Sequence, residues 1–255
     1  MFRTYGRVPL VCTAALCVAL LMGPAACGTS TAPVAGYEVE WFDGPDAAPG
    51  TREGLAERLS LPWLDGIEVH GTAADADESP ITLDSCRDYL EVEDRKVRPL
   101  EAGMTALIFQ ARALDCQAMV LALAARPAAV SHLRTLAFDE TLPDALPWEV
   151  AMIVSGAEAD RIAAERPRAT WREALFGPLT EFSSCGTHCG RYGDPADEQS
   201  VMLVARGDFD GDGIEDMLLG SSDAAKGGSY RAVRTFLLTR REPGGRVELI
   251  RQLEY

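Results

Sequence analysis

Four aspartates crowd the stretch "GDFDGDGIED", residues 207–216: Asp208, Asp210, Asp212 and Asp216. Carboxylates in this number do one of two kinds of chemistry. They hold a hard cation through oxygen, or, as a separated pair, they act as acid and base on a glycosidic bond. Crowded carboxylates raise one another's pKa unless a cation neutralises them, and packing so much like charge into one loop is costly. The glycosidase reading needs a cleft with sugar-stacking aromatics. Aromatic residues are only 7% of this chain, and Trp41, Trp63, Trp148 and Trp171 are dispersed as core or surface anchors. A plain polar turn would need only one or two Asp or Gly. The spacing therefore asks for a cation.

Counted from Asp208 as the first place, Asp210 is third, Asp212 fifth, Gly213 sixth, Ile214 seventh and Asp216 ninth. These are the first nine places of a calcium loop. Alternate carboxylates in a tightly wound loop converge on one centre, Gly211 and Gly213 permit the winding, and Ile214 offers its backbone carbonyl while its side chain packs inward. Hard oxygen ligands favour calcium over zinc, and magnesium prefers fewer carboxylates and more water. An EF-hand is excluded, because the twelfth place is Leu219 and the flanks are strand-like.

The stretch "GDFDGDGIEDMLLG" resembles the loop of FG-GAP and VCBS repeats, strand-loop-strand elements of integrin-like propellers and of many exported bacterial proteins. The resemblance implies that Asp208, Asp210, Asp212 and Asp216 are side-chain ligands of Ca2+ and Ile214 a carbonyl ligand. It covers under a tenth of the chain and occurs once, so it implies neither a propeller nor the ligand binding of integrins. Extracellular modules bind calcium with Kd of about 10⁻⁴–10⁻³ M, so a structural role outside the cell is expected.

Other chemistry is thin. There is no G-x-S-x-G elbow, H-E-x-x-H, Walker loop or dinucleotide fingerprint, and the spacing in "SSDAAK" is wrong for S-x-x-K. His132 in "VSHLRTL" reads as a packed residue. Cys86, Cys116, Cys185 and Cys189 are the even set left once the leader is set aside, and they are expected to form two disulfides, Cys86 with Cys116 and Cys185 with Cys189. The alternative in "SCGTHCGRYG" is that Cys185, His188 and Cys189 hold zinc or copper, though no fourth ligand stands nearby.

The amino terminus reads as an export signal over 1–26. Arg3 and Arg7 form its basic part, "VPLVCTAALCVALLM" its apolar core and "GPAAC" the small residues before Cys27. The apolar run is short for a membrane span of about 20 residues. The stretch "LLMGPAACGTS" resembles a bacterial lipobox, which implies that Cys27 is lipidated and anchors the mature chain in a membrane. Pro24 stands where that pattern has Leu, so plain cleavage is the alternative, with an uncleaved anchor after it. Net charge is −15, and loss of two arginines and no acid with the leader makes it −17. Nucleic acid and anionic lipid are thereby excluded as main partners.

The elements that must position the loop make an α+β fold. Residues 27–36 read as a linker and 37–255 as one domain: 37–80 irregular with the short strands "YEVEWF" and "GIEVH", 81–180 mainly helical, and 181–255 an antiparallel β meander that carries the loop. The acidic run "DADE" reads as a solvated loop. A helix is expected beyond Pro99, with Met104, Leu107, Ile108, Ala111 and Leu114 on one stripe. Ser155 with Glu158 and Thr170 with Glu173 match capping boxes. Between the helices, "WEVAMIVSG" reads as a strand, with a short buried helix as the alternative.

The expected function is an exported, lipid-anchored cell-envelope protein with one structural Ca2+ site, acting in binding or assembly with an envelope protein or ligand. The alternative is a secreted or periplasmic hydrolase whose site is assembled from distant residues. A cleft gathering His70, His132 or His188 with carboxylates would mark the second, and an exposed apolar patch the first.

Overall fold

The computed structural model describes residues 36–71, 79–175 and 177–255. The leader 1–26, the expected lipid site Cys27, all but the last residue of the 27–36 linker, and "DADE" lie outside the described residues. In chain order the elements are β1 (Glu40–Trp41), α1 (Arg52–Arg58), β2 (Ile67–His70), β3 (Ile81–Leu83), α2 (Cys86–Val92), β4 (Arg98–Pro99), α3 (Met104–Ala124), α4 (Leu142–Ala145), α5 (Gly156–Glu165), α6 (Trp171–Ala174), β5 (Glu181–Gly186), β6 (Cys189–Gly193), β7 (Asp197–Gly207), β8 (Asp216–Ala225), β9 (Arg231–Thr239) and β10 (Glu248–Gln252). The fold is α+β, as the sequence pattern implies.

The large sheet runs β10-β9-β8-β7-β6-β5, antiparallel throughout, and β1 pairs with β7 where Glu40 meets Arg206 and Trp41 meets Ala205. Its central strands are apolar without strict alternation because both faces are covered. Val204, Ala205, Leu218 and Leu237 pack in one core cluster with Phe109, Leu114 and Met119 of α3. Val201, Leu203, Met217, Leu219, Phe236 and Leu238 pack in a second cluster with Leu142, Leu146, Ile162 and Trp171. A separate small sheet, β3-β2-β4, lines the first cluster through Ile67, Val69 and Leu83.

Three local expectations change on contact with the structure. Pro99 does not open the long helix. It pairs with Val69 in the small sheet, and Gly103, at φ 72°, turns the chain before α3 begins at Met104. The buried stripe of α3 is Phe109, Ala113, Leu114, Cys116, Ala118, Met119 and Ala122, while Met104 and Ile108 are exposed. The stretch "WEVAMIVSG" is neither ladder strand nor α-helix. It makes a single 3-10 turn, Trp148–Val150, because side chains take its backbone groups. Arg234 donates to the carbonyls of Glu149, Val150 and Ala151, and Gln199 donates to Val150 O and accepts from Met152 N. A part-buried segment whose polar groups are met by side chains needs no partner strand.

The capping boxes split. Thr170 and Glu173 bond reciprocally at the start of α6, whereas Ser155 only accepts from Glu158 N, at 3.4 Å, and the Glu158 carboxylate turns to Arg161. Both expected disulfides are present. Cys86–Cys116 ties α2 to α3, and Cys185–Cys189 closes the β5–β6 turn, with Cα separations of 5.2 and 5.1 Å.

Candidate metal centre

The acidic loop is the connection from β7 to β8, where Gly207 faces Asp216 across the last ladder pair. Gly211 and Gly213 have φ of 84° and 85°, the left-handed conformation that side chains resist, so the winding expected from these glycines is real. Each turn is fixed by a carboxylate. Asp208 accepts from Gly211 N at 2.7 Å through Oδ1 and from Gly213 N at 3.0 Å through Oδ2. Asp210 accepts from Asp212 N, and Asp212 from Ile214 N at 2.8 Å.

The back of the loop is fastened to residues 126–131. Arg126 and Asp208 exchange backbone hydrogen bonds, Ala129 N reaches Gly213 O at 2.8 Å, and Glu215 N reaches Val130 O at 2.7 Å. Val130 and Ile214 thus form a parallel bridge in which Ile214's own amide and carbonyl point away from the 126–131 segment. That amide donates to Asp212 within the acidic loop.

Asp208, Asp210 and Asp216 converge, offering one oxygen each with all three within 4.8 Å of one another, and this arrangement can hold a metal ion. Asp208 is buried, Asp216 is fully so, and Asp210 is exposed. Asp216 Oδ2 accepts from Phe209 N at 3.0 Å, but Oδ1 is buried without a partner. Burial pushes this carboxyl up to about 6. The Thr239 hydroxyl and the Phe209 amide favour its charged form, and negative Asp210 and Asp212 oppose it. Thr239 eases the charge from across β8–β9 without reaching full hydrogen-bond geometry. A buried carboxylate with an orphaned oxygen among other carboxylates gains most from a cation.

Asp212 is placed differently. Its carboxylate meets Arg241 at 2.7 Å, just past β9, and Arg241 also lies 4.0 Å from Asp210 and 3.6 Å from Glu248. The sequence reading gave no role to Arg241 or to Glu215. Glu215 is fully buried and turned opposite to Asp216: Arg134 holds its Oε1 at 2.6 Å and Ser131 its Oε2 at 2.5 Å. Arg134 in turn bonds Glu40 at 2.9 Å, which joins the loop to β1. Strand-like alternation at Ile214–Asp216 could have signalled that Glu215 faces away from the other acids.

The remaining candidates do not converge. His70 stands in β2. His132 offers its carbonyl to Arg240, and His188 packs tilted against Phe42 with ring centroids 4.7 Å apart, burial and nearby Arg206 holding its pKa below the usual range. With Cys185 and Cys189 bonded to each other, His188 has no thiolate partners for a metal. Comparison of the chain with protein-family models, with curated proteins and with solved structures finds no match to any of them.

Proposed function

We propose that this chain is an exported cell-envelope protein whose large sheet is pinned at the β7–β8 turn by one structural calcium ion, and that it acts in binding or assembly. The observation that carries the calcium reading is the trio Asp208, Asp210 and Asp216 with Asp216 Oδ1 buried and unpartnered. Oxygen donors alone, three of them carboxylates, suit calcium, and Asp212 with the Ile214 carbonyl would complete the set. The FG-GAP and VCBS-like spacing supports the same assignment. Export is supported by the leader pattern and by two disulfides, which fit an oxidising compartment. Anchoring rests on Cys27 and its flanking small residues.

A binding role draws support from α3, where exposed Met104 and Ile108 stand one turn apart, near exposed Leu100. Photo-crosslinking from Met104 on intact cells is expected to give a discrete adduct, and a clean blank would remove that support.

Calcium titrated into the chelator-treated protein is expected to bind at one site by calorimetry, with Kd of about 10⁻⁴–10⁻³ M, and to raise the melting temperature. Asp210→Ala with Asp212→Ala should lower melting more in millimolar calcium than in chelator, where only the turn hydrogen bonds and the Arg241 pair are lost. Equal loss in both conditions would mean an acidic turn with no ion. For the anchor, Cys27→Ser should move the protein from the membrane to the soluble fraction, and unchanged membrane association would count against lipidation.

A further inference from the structure

Arg241 sits where an incoming cation would compete with it. Its guanidinium is 2.7 Å from Asp212 and 4.0 Å from Asp210, so it spends one carboxylate of the loop on an internal ion pair. It has an alternative partner at hand, since Glu248 at the start of β10 lies 3.6 Å from its Nε. Arg241 and Glu248 are both more than half exposed at their side chains, so neither is locked in place by packing. Asp216 offers no such escape: it is fully buried and its orphaned oxygen has no cation of its own.

We propose that Arg241 sets the calcium threshold of this loop: the ion takes Asp212 from Arg241, and Arg241 closes on Glu248 as it is released. This rests on the calcium reading above. The site is then a displacement device, in which binding must break one ion pair and tighten another. One consequence follows from charge alone and two from the exchange. Removing Arg241 strengthens calcium binding, removing Glu248 weakens it, and the effect of Glu248 depends on Arg241 being there to receive. Without Arg241, Glu248 has nothing to exchange, and as an exposed charge it leaves only a small residual pull at ordinary salt. In the cell the arrangement would keep the site empty at low calcium and let it fill in the millimolar range outside.

The test is a double-mutant cycle on the full chain, with the calcium Kd read by calorimetry at physiological salt. Arg241→Gln is expected to tighten binding about three- to fivefold, and Glu248→Gln to weaken it about two- to threefold. The double variant is expected to match Arg241→Gln alone. Two results overturn the exchange: an Arg241→Gln Kd within twofold of the parent, or a Glu248→Gln effect that persists undiminished when Arg241 is gone, which would be a plain field effect. Both substitutions are at the surface, and melting in chelator shows whether each variant is folded. If parent and Arg241→Gln alike bind no calcium at 10 mM, the calcium reading itself falls. If the parent binds and the cycle is additive, only the exchange falls.

Discussion

Glu215 and Asp216 are neighbours in the chain, both carboxylates and both fully buried, yet they are compensated in opposite ways. Glu215 looks back toward residues 126–134, where Arg134 and Ser131 meet both of its oxygens. Asp216 looks forward into the acidic loop, where one oxygen accepts a backbone amide and the other makes no hydrogen bond, with only the Thr239 hydroxyl to ease its charge. Burying a charge without a partner costs several kcal/mol, so the two sides must be balanced somehow. The back of the loop carries its cation within the chain; the front gathers Asp208, Asp210 and Asp216 in an arrangement that could hold one from outside. The loop thus has a fastened back and, on the reading proposed above, an ion-receiving front, and the two halves can be separated by experiment.

The largest effect should come from the back. Glu215→Ala leaves a gap at a buried site and takes from Arg134 one of its two carboxylates. It is expected to cost about 3 kcal/mol, at the lower end for a broken buried pair because Arg134 is a third exposed and keeps Glu40. Denaturant unfolding should give the same loss in chelator and in calcium. A loss that shrank by more than half in calcium would break the comparison, since the back would then depend on the ion.

The front should behave in the reverse manner. Asp216→Asn removes a buried charge that nothing in the chain neutralises, so in chelator its stability should equal or exceed that of the parent. In 10 mM calcium the variant should forgo the increment that the ion gives the parent, about 1–3 kcal/mol for a Kd of 10⁻⁴–10⁻³ M. Melting curves in the two buffers check this. A variant less stable than the parent by the same amount in both would make Asp216 an ordinary core residue.

Much of the front was legible in the sequence. Alternate aspartates with interspersed glycines report local geometry, and local geometry is what a turn of nine residues has. The disulfides were legible on a different ground: the four cysteines fall into two pairs, each within one segment, with sequence separations of 30 and 4. What could not be read is whatever depends on partners far along the chain. Arg134 stands 81 residues before Glu215, and Arg241 stands 29 after Asp212. "WEVAMIVSG" was misread on the same account: an apolar, β-branched segment is equally suited to a ladder and to an extended lining strip, and Arg234 and Gln199 decide between them. The long helix failed at its start because Pro99 belongs to the small sheet, and neither the sheet nor Gly103's turn is marked by hydrophobic period.

The smallest expected effect sharpens the comparison most finely. Gly213 joins the two halves: its amide donates to Asp208 on the front, and its carbonyl accepts from Ala129 and Val130 on the back. A methyl group there would meet no atom within 4 Å, so Gly213→Ala carries only the backbone cost of its φ of 85°, about 1–2 kcal/mol. If the back fastening alone holds the loop in its wound form, that cost is paid whether or not the ion is bound. Equal destabilisation in chelator and in calcium is therefore expected, with the calcium Kd of the variant close to the parent's. A cost seen only in calcium, with a weakened Kd, would mean that the loop winds around the ion and that the back does not pre-form the front.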